Sequence, residues 1–181
     1  MYPQYKEEKA TQIAARLLQL HGGRMNYLKL LKLLYFIDRQ ALSEWGEPLT
    51  FDRFVSMQRG MVLTKTYDNI RHGDLVDQGA YWNSYIEKRG YDVSLLQPGE
   101  IGELSDAEIE LINRVDQTYG QMEPFRLVDI CHQLPEYKKT DHAPIPVTYS
   151  EVLRATGKSE EDIAEIDQYL KERAYLDALF E

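Results

Sequence analysis

Apolar residues along the first half of the chain recur at spacings of three and four, and they are densest between Asn26 and Gly46. There Tyr27, Leu28, Leu30, Leu31, Leu33, Leu34, Ile37, Ala41 and Leu42 spread over more than half of a helical circumference, which predicts a central helix with other elements around it. Asn26 suits the N-cap, and Gly46 followed by Pro48 supplies the stop. Two residues break the pattern. Asp38 falls inside the apolar arc, so it should be at least partly buried and must find a hydrogen-bond donor or an arginine. Phe36 falls on the narrow polar face, in a stripe with Lys29, Lys32, Arg39 and Ser43. That stripe reads either as a solvated face or as a partner-binding one, and Phe36 could instead be covered by the first helix or the C-terminal tail.

The same periodicity predicts a first helix from about Tyr5 to Leu20, with Ala10, Ile13, Ala14, Leu17 and Leu20 inward and Gly22-Gly23 as its end. Pro48 to Gly60 reads as extended, with Gly60 marking a turn, and Leu63, Tyr67 and Ile70 give a short helix closed by Gly73. The aromatic and branched runs 81–87 and 91–96, separated by Lys88-Arg89-Gly90, predict a β-hairpin. Ser105-Asp106-Ala107-Glu108 is a capping box for a helix ending at Gly120, and Pro124 to Leu134 forms another helix. Residues 138–147 read as a linker. Thr148-Tyr149-Ser150-Glu151 opens a short helix, and Ser159 caps a last one. The expected fold is mainly α with a small antiparallel β element (α+β), its helices packed around the central helix 26–46. Residues 1–137 form the domain, and 148–181 form a C-terminal helical extension on it.

At 181 residues and 43% hydrophobic content the chain is long enough for one well-buried core. No run approaches the ~18 apolar residues of a membrane span, and the N-terminus lacks the apolar run of a signal peptide, so a cytoplasmic protein without membrane contact is expected. Cys131, the single cysteine, rules out an internal disulfide and a cysteine-cluster zinc site. The net charge of −9 is concentrated in the C-terminal half, while residues 1–72 carry more Lys and Arg than Asp and Glu. Nonspecific nucleic-acid binding is therefore disfavoured, with a local exception possible in the N-terminal half.

Catalytic patterns are missing from the sequence. It holds no Gly-rich phosphate loop, HExxH or GxSxG, and His21, His72, His132 and His142 have no metal-ligand spacing. Cys131 and His132 point about a hundred degrees apart on a helix and cannot act as nucleophile and base by adjacency. His132 and Asp38 are read as structural anchors together with Gly60, and neither a cofactor nor a metal is expected.

The run Lys32-Leu33-Leu34-Tyr35-Phe36, followed by Gly46, Leu49, Phe54, Gly60, Val62, Tyr67, Tyr81-Trp82, Leu104, Tyr119-Gly120, Leu127 and His132, resembles the Panacea domain of SocA-like antitoxins and phage-associated proteins. The resemblance covers about Leu17 to Tyr137, and the tail from Tyr149 to Phe180 is similar to one subgroup. Gly60-Met61-Val62 stands where the family has Gly-Pro-Val, an aromatic just before it is absent from Ser56-Met57-Gln58, and Pro135-Glu136-Tyr137 stands for a Pro-Glu-Trp-like element. That proline would have fixed the helix entry, and its loss costs little if Val62 still starts the helix. The resemblance implies a non-enzymatic antitoxin of toxin–antitoxin systems, prophages and phage defence. It would neutralise a cognate toxin, usually encoded beside it, by direct contact. One branch of the family instead delivers its toxin to a protease. A nucleic-acid-binding regulator and a hydrolase using Asp38 or His132 are the other readings. The expected docking face is Lys29, Lys32, Phe36 and Arg39, extended by Arg59 and Tyr67 on either side of the Gly60 turn if the short helix packs beside the central one.

Overall fold

Helix α2 (Tyr27–Trp45) runs through the centre of the computed structural model, which describes residues 1–72 and 80–180. The Asn26 side chain caps it by accepting from the amides of Leu28 (2.9 Å) and Lys29 (3.3 Å). Gly46 ends it at φ 76°, a left-handed conformation that an L side chain rarely adopts. Leu30, Leu33, Ile37, Ala41 and Leu42 have no exposed surface. Helix α1 (Glu7–Leu20) packs on it through Ile13, Ala14, Leu17 and Leu18. Leu20, expected inward, is 42% exposed; Leu18, on the turn before the Gly22-Gly23 break, fills the core instead.

Two small antiparallel sheets flank the helices. In the first, β1 (Arg24–Asn26), β4 (Ile86–Arg89) and β5 (Asp92–Leu95) lie in the order β1-β5-β4. The hairpin turns at Gly90, φ 62°, as expected, but its first strand is shorter than predicted. Residues Ala80–Tyr85 form helix α4 instead, because the four-residue step from Trp82 to Ile86 lets both bury against α1 and the sheet.

The second sheet is β3-β2-β6, made of β2 (Phe54–Met57), β3 (Gly60–Leu63) and β6 (Ile145–Val147). Val62 stays in β3, paired with Val55, rather than starting a helix. Helix α3 (Thr64–His72) begins two residues later, where buried Asp52 accepts from the amides of Lys65 and Thr66, both at 2.9 Å. Gly73, its expected stop, lies outside the described residues. The expected linker is not free either. The Ser56 hydroxyl donates to the Lys138 carbonyl and accepts from its amide, and Ile145–Val147 pairs with β2.

Helices α5 (Asp106–Tyr119) and α7 (Tyr149–Ala155) open with the two capping boxes read from Ser105 and Thr148, and α6 (Pro124–His132) lies between them. Tyr149 packs on Phe54 at 5.0 Å between ring centroids and donates to the Asp52 carbonyl at 2.8 Å. The last helix, α8 (Glu160–Phe180), buries Ile163, Leu170 and Ala174. No helix among the described residues is long and apolar enough to cross a membrane.

Candidate functional site

The polar stripe expected on α2 is turned inward. Phe36 is only 4% exposed and stacks on Tyr119, so it is neither free nor covered by α1 or the tail; α5 covers it. Arg39 reaches Glu136 at 2.5 and 3.2 Å, and the Tyr35 hydroxyl donates to the same carboxylate at 2.7 Å. Burial alone would raise the Glu136 carboxyl, but the bonds from Arg39 and Tyr35 outweigh it and hold the group below the usual carboxylate range. Lys32 is fully buried and donates to the Met61 carbonyl at 2.8 Å. Lys29 remains half-buried. Lys32 and Arg39 of the stripe thus point into neighbouring elements, toward β3 and the segment after α6.

Lys32 nevertheless borders a cleft. A cleft of about 240 Å3 lies between the N-terminal half of α2, the β2–β3 turn and α3, and Lys32, Arg59, Gly60 and Tyr67 all line it. Three of the residues expected at the docking face, Lys32, Arg59 and Tyr67, therefore line one cleft together with the anchor Gly60, while Lys29, Phe36 and Arg39 are not in its lining. Gly60 makes the close approach possible. A β-carbon there would stand 2.7 Å from Cys131 Cβ and 3.2 Å from Lys32 Nζ, and its φ of 96° disfavours any side chain. Burial lowers the Lys32 ammonium to about 8 and raises the Cys131 thiol.

Cations laid on aromatic rings stand around the cleft, although of these only Arg59 belongs to its lining. Arg71 lies 5.2 Å from the centre of Tyr67 and Lys88 5.3 Å from that of Tyr27, both rings belonging to the lining. Arg59 lies 6.0 Å from the centre of Phe125, which is 65% exposed. Among the described residues no Asp or Glu lines this cleft, whereas Glu87 lines the separate hollow of about 390 Å3 that Arg71 and Lys88 share. Arg71, Lys88 and Phe125 were not foreseen, since each joins the site only through tertiary packing. A larger hollow of about 600 Å3 between the N-terminal residues and Tyr149 has no buried charged side chain in its lining.

The remaining anchors lie away from the cleft or beneath its turn. Asp38 is fully buried and accepts from the amides of Leu49 (2.9 Å) and Thr50 (3.2 Å) and from the Thr50 hydroxyl. Its partners are therefore backbone and hydroxyl donors, with no arginine among them. Burial pushes its carboxyl up to about 7. Exposed His132 places Nε2 2.9 Å from the Gln58 carbonyl oxygen, bracing the β2–β3 turn from α6, while neighbouring Cys131 is buried. No group of three or more His, Cys, Asp or Glu able to hold a metal is present among the described residues.

The family model described as antitoxin SocA-like, Panacea domain, matches residues 30–138, well over half of the chain. No curated protein and no solved structure matches.

Proposed function

The chain belongs to the SocA-like, Panacea-domain antitoxin family, and from that premise we propose that it neutralises a cognate toxin protein by direct contact, without turnover of its own. The toxin docks over the cleft between α2, the β2–β3 turn and α3. The observation that carries this reading is the charge of the cleft: Arg59 and Lys32 line it, and Arg71 and Lys88 lie on the Tyr67 and Tyr27 rings of its lining, in a chain whose net charge is −9. A local cationic patch on an acidic molecule favours a partner with a compact acidic patch, and it disfavours a long phosphate backbone that must also pass the acidic remainder. Exposed Phe125 under Arg59 adds an aromatic anchor of the kind that concentrates binding energy. We place the encounter in the cytoplasm.

Co-expression with the toxin encoded beside it, scored for growth rescue and for a co-purifying complex, tests this. Arg59→Glu with Arg71→Glu should abolish rescue while the purified variant melts as the wild type does. Rescue without detectable association would refute neutralisation by contact.

A further inference from the structure

Lys32 lies at the floor of the cleft with none of its surface exposed, yet only one of its three ammonium protons has an acceptor among the described residues, the Met61 carbonyl oxygen. The titratable groups that share the cleft or its floor are Tyr27 from α2, Arg59 from the β2–β3 turn, Tyr67 from α3 and Cys131 from α6. None of these is a carboxylate. Glu136, at the end of α6, is already held by Arg39 and Tyr35. A buried ammonium without a counter-ion carries an uncompensated desolvation penalty, and this one belongs to a residue that lines the cleft.

We infer that in the toxin complex proposed above, on which this assignment rests, an aspartate or glutamate side chain of the toxin enters the cleft and pairs with Lys32 Nζ. The volume of about 240 Å3 suits one inserted side chain and falls below the range of ~300 to 1,000 Å3 usual for small-molecule ligands. Arg59 in the lining, with Arg71 and Lys88 on the Tyr67 and Tyr27 rings, attracts the same charge from outside, whereas Lys32 rewards only a group that reaches the floor. These outer cations thus set how fast the partner arrives, and the floor sets how long it stays.

This pairing has a proton signature. In the free chain burial lowers the Lys32 ammonium to about 8. An inserted carboxylate favours the charged form, so association takes up a proton where the free amine is mostly neutral, at about pH 9, and takes up almost none at about pH 6.

The experiment is calorimetric titration of the full chain with the toxin encoded beside it, in two buffers of different ionisation enthalpy at each pH, for the wild type and Lys32→Met. The wild type should take up close to one proton at about pH 9. Lys32→Met, which keeps the buried stem, should bind about 30-fold or more weakly and take up none. A complex that forms without proton uptake, or that Lys32→Met leaves equally tight, overturns the pairing while direct neutralisation stands. If wild-type protein and toxin do not associate at all, neutralisation by contact falls and the pairing falls with it. Should Lys32→Met fail to fold, proton uptake by the wild type decides alone. Two controls without toxin complete the test. A dimer of the free chain that Lys32→Met dissolves would assign the cleft to a second copy, and inorganic phosphate taken up with the same proton signature would assign it to a free anion. Either result would overturn the assignment.

Discussion

The rings of Phe36 and Tyr119 lie nearly parallel, with centroids 4.4 Å apart and planes inclined by 25°. The residue that a helical wheel turns outward is therefore a core contact between α2 and α5. Phe36→Ala should cost about 3 to 5 kcal/mol through the void it leaves. Toxin affinity, corrected for the folded fraction, should not change. Denaturant melts and titrations on the same variant check this, and an unchanged midpoint with weakened binding would contradict it.

Arg39→Ala should cost about 3 to 5 kcal/mol, because it strands the Glu136 carboxylate, whose side chain has no exposed surface. Glu136→Gln should cost less, since it keeps an acceptor for Tyr35 or Arg39. The carboxyl is held below its ordinary 4.5, so the stability that it contributes is complete above that value and is lost as the pH falls through the lower folded value. The gap between wild type and Arg39→Ala should narrow over that acid range in urea melts.

Asp38 works in the opposite sense. Its folded value of about 7 stands above the ordinary 3.8, so its contribution is fullest below about pH 4 and declines as the pH rises through 7. Asp38→Asn, a mimic of the protonated acid, should be flat across that window and should compare best with the wild type at about pH 8. Asp38→Ala leaves the Leu49 and Thr50 amides without their acceptor and should cost about 2 to 5 kcal/mol throughout. Melting temperatures from about pH 4 to about pH 8 separate the three proteins.

Gly60→Ala combines a disfavoured φ of 96° with a contact of 2.7 Å to Cys131 Cβ. The expected loss is about 2 to 5 kcal/mol. Cys131→Ala should not rescue it, because alanine keeps the β-carbon, whereas Cys131→Gly should recover part. Equilibrium denaturation of the two double variants checks the contact.

What could be read from the sequence was local. Asn26, Gly46, Ser105 and Thr148 cap or stop helices through bonds spanning two to four residues, and each stands where its type predicted. The inward turn of Lys32, Phe36 and Arg39 depends on Met61, Tyr119 and Glu136, which are distant in sequence, and the polarity of a helical face cannot reveal them. β3 escaped because all four of its residues are buried and show no alternation, and β6 because three residues containing Pro146 look like a linker. At the site, Arg59, Gly60 and Tyr67 were legible from one turn, but their meeting with Lys32, and the arrival of Arg71, Lys88 and Phe125, required the fold.

β2 is the middle strand of its sheet, with β3 on one side and β6 on the other. The family match ends at residue 138, before β6 begins. A chain trimmed to that boundary would turn β2 into an edge strand, with a bare row of amides and carbonyls beside a Phe54 that has lost Tyr149. Such an edge is a template for intermolecular pairing. The tail thus guards the sheet against self-association, and the boundary of the family match falls between strands of one sheet.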